Sequence, residues 1–162
     1  MTDNTARENL NVEIYFKPTI LTIGDRIKFP QYSVHFNNNL AVLTFAEPKD
    51  GIHMASFSIV TMVTGDNVID VRLLNKGARD TQLDDAGNIV GDLSLEIVKI
   101  MIDDIDLGDT LIKQNCIYDL YQEVSFNGDT TKQLKEHVNL SWNGSWKLTF
   151  KSPFYLWLLE SL

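Results

Sequence analysis

Between residues 138 and 150 apolar and polar side chains alternate. Val138, Leu140 and Trp142 share one parity, and Trp146, Leu148 and Phe150 share one parity beyond an Asn143-Gly144 step. Alternation with period two marks a half-buried strand, because successive side chains leave a strand on opposite faces. Asn-Gly is the common signature of a two-residue hairpin turn with positive φ at both positions. Here that turn would set Trp142 against Ser145 and Ser141 against Trp146, placing each apolar row behind the other strand's polar row. A three-residue loop, 143–145, instead sets Trp142 opposite Trp146 with all six apolar residues on one face, and this is the expected form.

Two roles are open to the tryptophans. On a packed face they form a cross-strand aromatic pair contributing about 0.5–1.5 kcal/mol beyond their area burial. At a raised hairpin tip one ring becomes a flat platform on which a sugar can stack. Trp142, Trp146 and the neighbouring Asn143 are therefore the candidate ligand-binding residues.

The rest of the chain repeats the pattern. Short β-rich runs at 12–16, 20–23, 32–36, 40–45, 55–64, 68–74, 93–102, 110–120 and 123–126 are closed by Asn, Asp and Gly, and 130–137 reads as a strand edge or one helical turn. No amphipathic helix separates them, which favours an all-β, antiparallel, jelly-roll-like β-sandwich over a parallel sheet. The polar segment 1–11 is expected to be mobile, and 12–162 to form a single sandwich domain. One short C-terminal α-helix follows Ser152, the expected N-cap, with Pro153 at its first position.

That helix is apolar around most of its circumference. Phe154, Trp157 and Leu158 lie together, Tyr155, Leu159 and Leu162 continue round, and Leu156 sits beyond them. Such an arc is wider than one core-facing stripe. The surplus is expected to meet another chain, making the protein a homo-oligomer with Phe154, Trp157 and Leu159 as interface residues.

Charge narrows the partners. With 22 acidic against 14 basic residues the formal net charge is −8, and the basic residues are scattered. Phosphate backbones and anionic bilayers are repelled by that field, so neither nucleic acid nor membrane is expected as a partner. The single cysteine, Cys116, excludes an internal disulfide and reads as a small buried hydrophobe. There is no cationic, apolar leader, and the apolar runs 57–63 and 154–159 are too short to span a bilayer. The expected setting is soluble, cytoplasmic or virion-associated.

Searches for chemistry give little. His35, His53 and His137 stand apart, and no nucleophile elbow, phosphate loop or dinucleotide fingerprint is present. One constellation has a donor set: Asp103, Asp104, Asp106 and Asp109, with Gly108 to turn the backbone. Alternating carboxylates suit calcium, a hard cation needing six to eight oxygens. The spacing departs from a helix-loop-helix calcium loop, and the expected form is a solvated turn whose carboxylates bond nearby amides. No cofactor is expected, calcium at this turn being the alternative.

At class level an acidic, cysteine-poor sandwich with Asn/Asp-rich turns and loop aromatics resembles two kinds of domain, carbohydrate-binding modules and the small structural or accessory domains of phage particles. The expectation is a non-catalytic interaction domain, first a self-associating structural or virion accessory protein. The alternative is a glycan-binding module using Trp142 or Trp146, with calcium as a structural ion. A glycan-active enzyme built on a pair among Glu13, Glu96, Glu123 and Glu136 stands third.

Overall fold

A computed structural model describes residues 7–162. In chain order the strands begin with β1 (Glu8–Thr19), β2 (Leu21–Ile23), β3 (Arg26–Lys28), β4 (Gln31–Phe36), β5 (Asn39–Phe45), β6 (His53–Thr61) and β7 (Gly65–Leu73). There follow β8 (Gln82–Leu83), β9 (Ile89–Gly91), β10 (Ser94–Ile102), β11 (Ile105–Asp106), α1 (Asp109–Gln114), β12 (Cys116–Phe126) and β13 (Asp129–Lys135). The chain closes with β14 (Asn139–Leu140), β15 (Gly144–Ser152) and α2 (Phe154–Glu160).

The fold is an all-β antiparallel sandwich with a short C-terminal helix. One sheet runs β11-β10-β1-β6, with β14 also on β10, and the other runs β13-β12-β15-β7-β4-β5; β2-β3 and β8-β9 are small ribbons. The chain passes repeatedly between the sheets, from β1 to β4-β5, back to β6, over to β7, back to β10 and over to β12-β13. The central strands therefore bury one face against the opposite sheet, which is why period-two alternation runs through the sequence.

Leu10, Val12, Ile14 and Phe16 of β1 face Tyr32, Val34 and Phe36 of β4, Ile69, Val71 and Leu73 of β7, and Trp146, Leu148 and Phe150 of β15 across a closed interior. Burying each such side chain contributes about 1.5–3 kcal/mol. In β10 the inward residues change parity, Leu95 and Ile97 and then Ile100 and Ile102. A bulge explains it: Tyr15 pairs with Lys99 and Phe16 with Ile97, leaving Val98 as the extra residue.

Several expectations are corrected here. The segments around Leu140 and Trp146 are not a hairpin. β14 pairs with β10 in one sheet while β15 lies between β12 and β7 in the other, so Trp146 has Val71 and Tyr118 as neighbours rather than Trp142. Trp146, Leu148 and Phe150 do share the buried face, with Lys147 and Thr149 opposite. Residues 110–114, expected as the start of a strand, belong instead to α1, with Leu111 and Ile112 inward and an Asp109–Lys113 ion pair at 3.0 Å. Pro153 rather than Ser152 is the N-cap of α2, and Ser152 ends β15. Of the segment 1–11, residues 8–11 belong to β1 and pair with Thr61 to Ser58; residues 1–6 lie outside the described residues.

The first and last elements meet. Both carboxylate oxygens of Glu8 lie within hydrogen-bond distance of the Phe154 N–H, at 3.0 and 3.1 Å. Phe154 and Trp157 pack on Phe150, and all three are buried. Among the described residues no helix is long and apolar enough to cross a membrane.

Candidate functional site

Three adjacent strands of the larger sheet share one row, Leu73 on β7, Gly144 on β15 and Leu120 on β12. Beyond and beside that row three irregular segments converge. The first follows β7 and carries Lys76, Gly77, Ala78 and Thr81. The second enters β15 and carries Trp142 and Asn143. The third lies inside β12: Asp119 pairs with Gln133 and Val124 with Thr131, so four residues, Leu120 to Glu123, stand where β13 has only Lys132. Bulges of this kind re-aim side chains and are enriched beside functional sites. This one brings Tyr121 and Gln122 to a cavity of about 430 Å³ whose wall also includes Val124, Trp142, Asn143 and the 76–81 segment. The volume falls within the usual range of small-molecule sites.

The cavity wall is held in place by the chain's own hydrogen bonds. The Tyr118 hydroxyl donates to the Trp142 carbonyl and accepts from the Trp142 N–H at 3.2 Å. Burial keeps that phenol far above its ordinary titration range, so it remains a donor. Asn143 bonds the backbone of Lys76 twice, accepting from its N–H at 3.0 Å and donating to its carbonyl at 2.7 Å. Its own carbonyl accepts from the Tyr121 N–H at 3.2 Å, tying the bulge to the same point.

Charges at the cavity are paired. The Lys76 ammonium donates to Asp92 at 2.6 Å, and the same carboxylate oxygen accepts from the Thr81 hydroxyl at 3.0 Å. The His137 ring stands 6.3 Å from Trp142 and 6.0 Å from Tyr118, and burial lowers its pKa from the ordinary value. Its Nε2 is buried without a partner.

Asp80 fixes the segment that follows β7. Its buried carboxylate accepts from Lys28 Nζ at 2.5 Å and from the Gly77 N–H at 2.6 Å. Burial raises its pKa, but the hydrogen bonds from Lys28 and Gly77 and the nearby positive charges outweigh it, and the net shift is downward. A depressed folded-state pKa stabilises above the unfolded value near 4 and loses that contribution as pH falls through the folded value. Asp80→Asn is therefore expected to unfold more readily in urea at pH 6, while its gap to the unsubstituted protein narrows as pH drops below about 4. A gap independent of pH would show that the Lys28–Asp80 pair does not act this way.

The sequence-derived candidates separate. Trp142 and Asn143 line the cavity. Trp146 is fully buried, donating its indole N–H to the His137 carbonyl at 2.8 Å, and has no surface to offer a ligand. Phe154 and Trp157 are spent within the chain, whereas Leu159 is 69% exposed. The aspartates form a tight hairpin turn, Ile102 pairing with Ile105 and both Asp103 and Asp104 at positive φ. Asp103 accepts from the Asn11 N–H at 2.7 Å and the Tyr155 hydroxyl at 2.9 Å, Asp106 from the Gly108 N–H at 2.9 Å, and Asp109 pairs with Lys113. Among the described residues no three Asp, Glu, His or Cys side chains are grouped as a metal site would require.

Sequence reasoning missed Tyr121, Gln122, Lys76 and Thr81. A signal for the bulge is present in the sequence: the inward row Cys116, Tyr118, Leu120 would continue at position 122, where a glutamine stands. A scan against protein-family models finds no match, and a search of curated proteins finds no relative.

Proposed function

We propose that this chain is a non-catalytic β-sandwich interaction domain whose work is self-association, as a structural or virion accessory component in a soluble setting. The observation that carries this reading is the open edge at β5. It is the outermost strand of its sheet and carries no charged residue in seven. Leu40, Leu43 and Phe45 are each more than half exposed. Phe45 also joins Ile23, Ile27 and Phe29 around a mainly apolar groove of about 530 Å³ beside the β2-β3 ribbon, with Arg26 and Lys28 on its rim. Chains guard such edges with lysine, proline or a covering element, because unpaired N–H and C=O groups template further strands.

The occupant that fits is a second copy. An uncharged strand meets its own image antiparallel across a two-fold axis, which satisfies both edges at once. At net charge −8 the charge-free strand is where two copies can approach with least repulsion. Exposed Leu156, Leu159 and Leu162 on and beyond α2 supply a further apolar patch.

Sedimentation equilibrium decides the matter. The unsubstituted chain is expected to be dimeric or larger at micromolar concentration and Leu43→Lys/Phe45→Lys monomeric, with Leu159→Ser/Leu162→Ser unchanged. A monomer at high micromolar concentration would sink the reading. Dissociation by the helix pair alone would move the contact to α2.

A further inference from the structure

We infer that the cavity between Trp142, Tyr121 and the 76–81 segment binds a neutral saccharide of about one or two rings. The inference uses residues separate from the β5 edge and stands or falls apart from it.

The wall selects the ligand by what it offers and what it has already committed. Two aromatic residues line it, Trp142 half-buried and Tyr121 53% exposed, together with Val124. Aromatic rings suit a ligand with an apolar face, and the C–H face of a pyranose is one. An amide and two hydroxyls stand among them, from Gln122, Tyr121 and Thr81. Asn143 spends one N–H and one acceptor position on the Lys76 backbone and keeps one N–H and one lone pair. Because Thr81 donates its hydroxyl proton to Asp92, its oxygen faces a ligand as an acceptor. A purely apolar ligand would strand these groups, at about 1–3 kcal/mol for each one buried unsatisfied.

An anion is disfavoured by the same accounting. The cation on the wall, Lys76, is bound to Asp92 at 2.6 Å with little exposure of its side chain. A phosphate or carboxylate would have to break that pair. What remains is a ligand with hydroxyl groups on its rim, an apolar ring face and no charge.

The wall is also ready before any ligand arrives. Trp142 is held through both its N–H and its carbonyl by one buried phenol, and Asn143 is tied to two of the three converging segments. Such a site needs little ordering on binding, which matters for sugars because desolvating their hydroxyls leaves a small net gain. The four-residue bulge against one residue of β13 interrupts β12 before its pairing resumes at Val124, and it delivers Tyr121 and Gln122 to this place.

The test is a two-dimensional ¹H–¹⁵N NMR titration of the full chain with glucose, galactose, mannose, N-acetylglucosamine, lactose and maltose up to tens of millimolar, the range of weak sites. Inorganic phosphate and glucose 6-phosphate form a parallel arm. Saturable shifts at the Trp142 indole and at the Tyr121 and Gln122 amides with at least one neutral sugar are expected. Tyr121→Ala should weaken that sugar about tenfold or more, and Trp142→Ala at least as much. Tyr121 and Gln122 are exposed, so Tyr121→Ala and Gln122→Ala keep the test valid if Trp142→Ala fails to fold. No saturable shift with any neutral sugar, shifts that survive Tyr121→Ala undiminished, or a response confined to the phosphate arm would each overturn the inference.

Discussion

Replacing Trp146 with alanine is expected to cost about 3–5 kcal/mol of folding stability, measured by urea unfolding. The side chain is the largest of those fully buried, it lies on β15 between Val71 and Tyr118, and its indole N–H satisfies the His137 carbonyl at 2.8 Å. Alanine would leave a void where no neighbouring strand can close in, and would remove that carbonyl's nitrogen donor. Against a total margin of about 5–15 kcal/mol, the loss is a large fraction of what keeps the chain folded. Trp142→Ala is expected to cost much less, about 1–2 kcal/mol, because that ring is half-buried and meets Phe126 and His137 on only part of its surface. Equal costs for the two would dissolve the division between a core tryptophan and a cavity tryptophan.

Gly144→Ala is expected to destabilise by about 1–3 kcal/mol and to displace the Trp142–Asn143 segment. A Cβ at this position would stand 2.6 Å from the Asp119 carbonyl oxygen and 2.9 Å from the Tyr118 ring, and the first of these is backbone that cannot swing aside. The strands can relieve the clash only by separating at the row where β12 and β15 meet, next to the cavity. Unfolding by urea would read the stability term, and the indole ¹H–¹⁵N signal of Trp142 would read the displacement. An unshifted indole together with unchanged stability would mean that the row opens freely.

That glycine also explains why the hairpin reading failed. Asn143-Gly144 looked like a turn, yet neither residue has positive φ. Gly144 is glycine because another backbone approaches it closely, and a single sequence cannot distinguish that need from the need for a turn. At Asn37-Asn38 and Asp103-Asp104, where the chain does turn, both residues adopt positive φ.

The sandwich itself was legible because alternation survives strand by strand. Its sheet assignments were not, since an inward row fits any strand whose opposite sheet is apolar. Leu111 and Ile112, the apolar pair that makes 110–120 look like strand, lie in α1, the ambiguity expected when a run is too short to express a period. The candidate site was half legible. Trp142 and Asn143 stood out as an aromatic and an amide in a loop, but Tyr121 and Gln122 reach the cavity only through a bulge defined by pairing with β13.

The contact of Glu8 with Phe154 fixes a direction in the molecule. β15 runs from Gly144 at the cavity to Ser152 beside that contact, a rise of roughly 26 Å at strand spacing. The start of β1 and the start of α2 thus share one pole and the cavity occupies the other. A chain immobilised through either of those elements would present Trp142 and the cavity outward, and, were the cavity to bind as proposed, an array of such chains would hold a repeating ligand more tightly than any one of them.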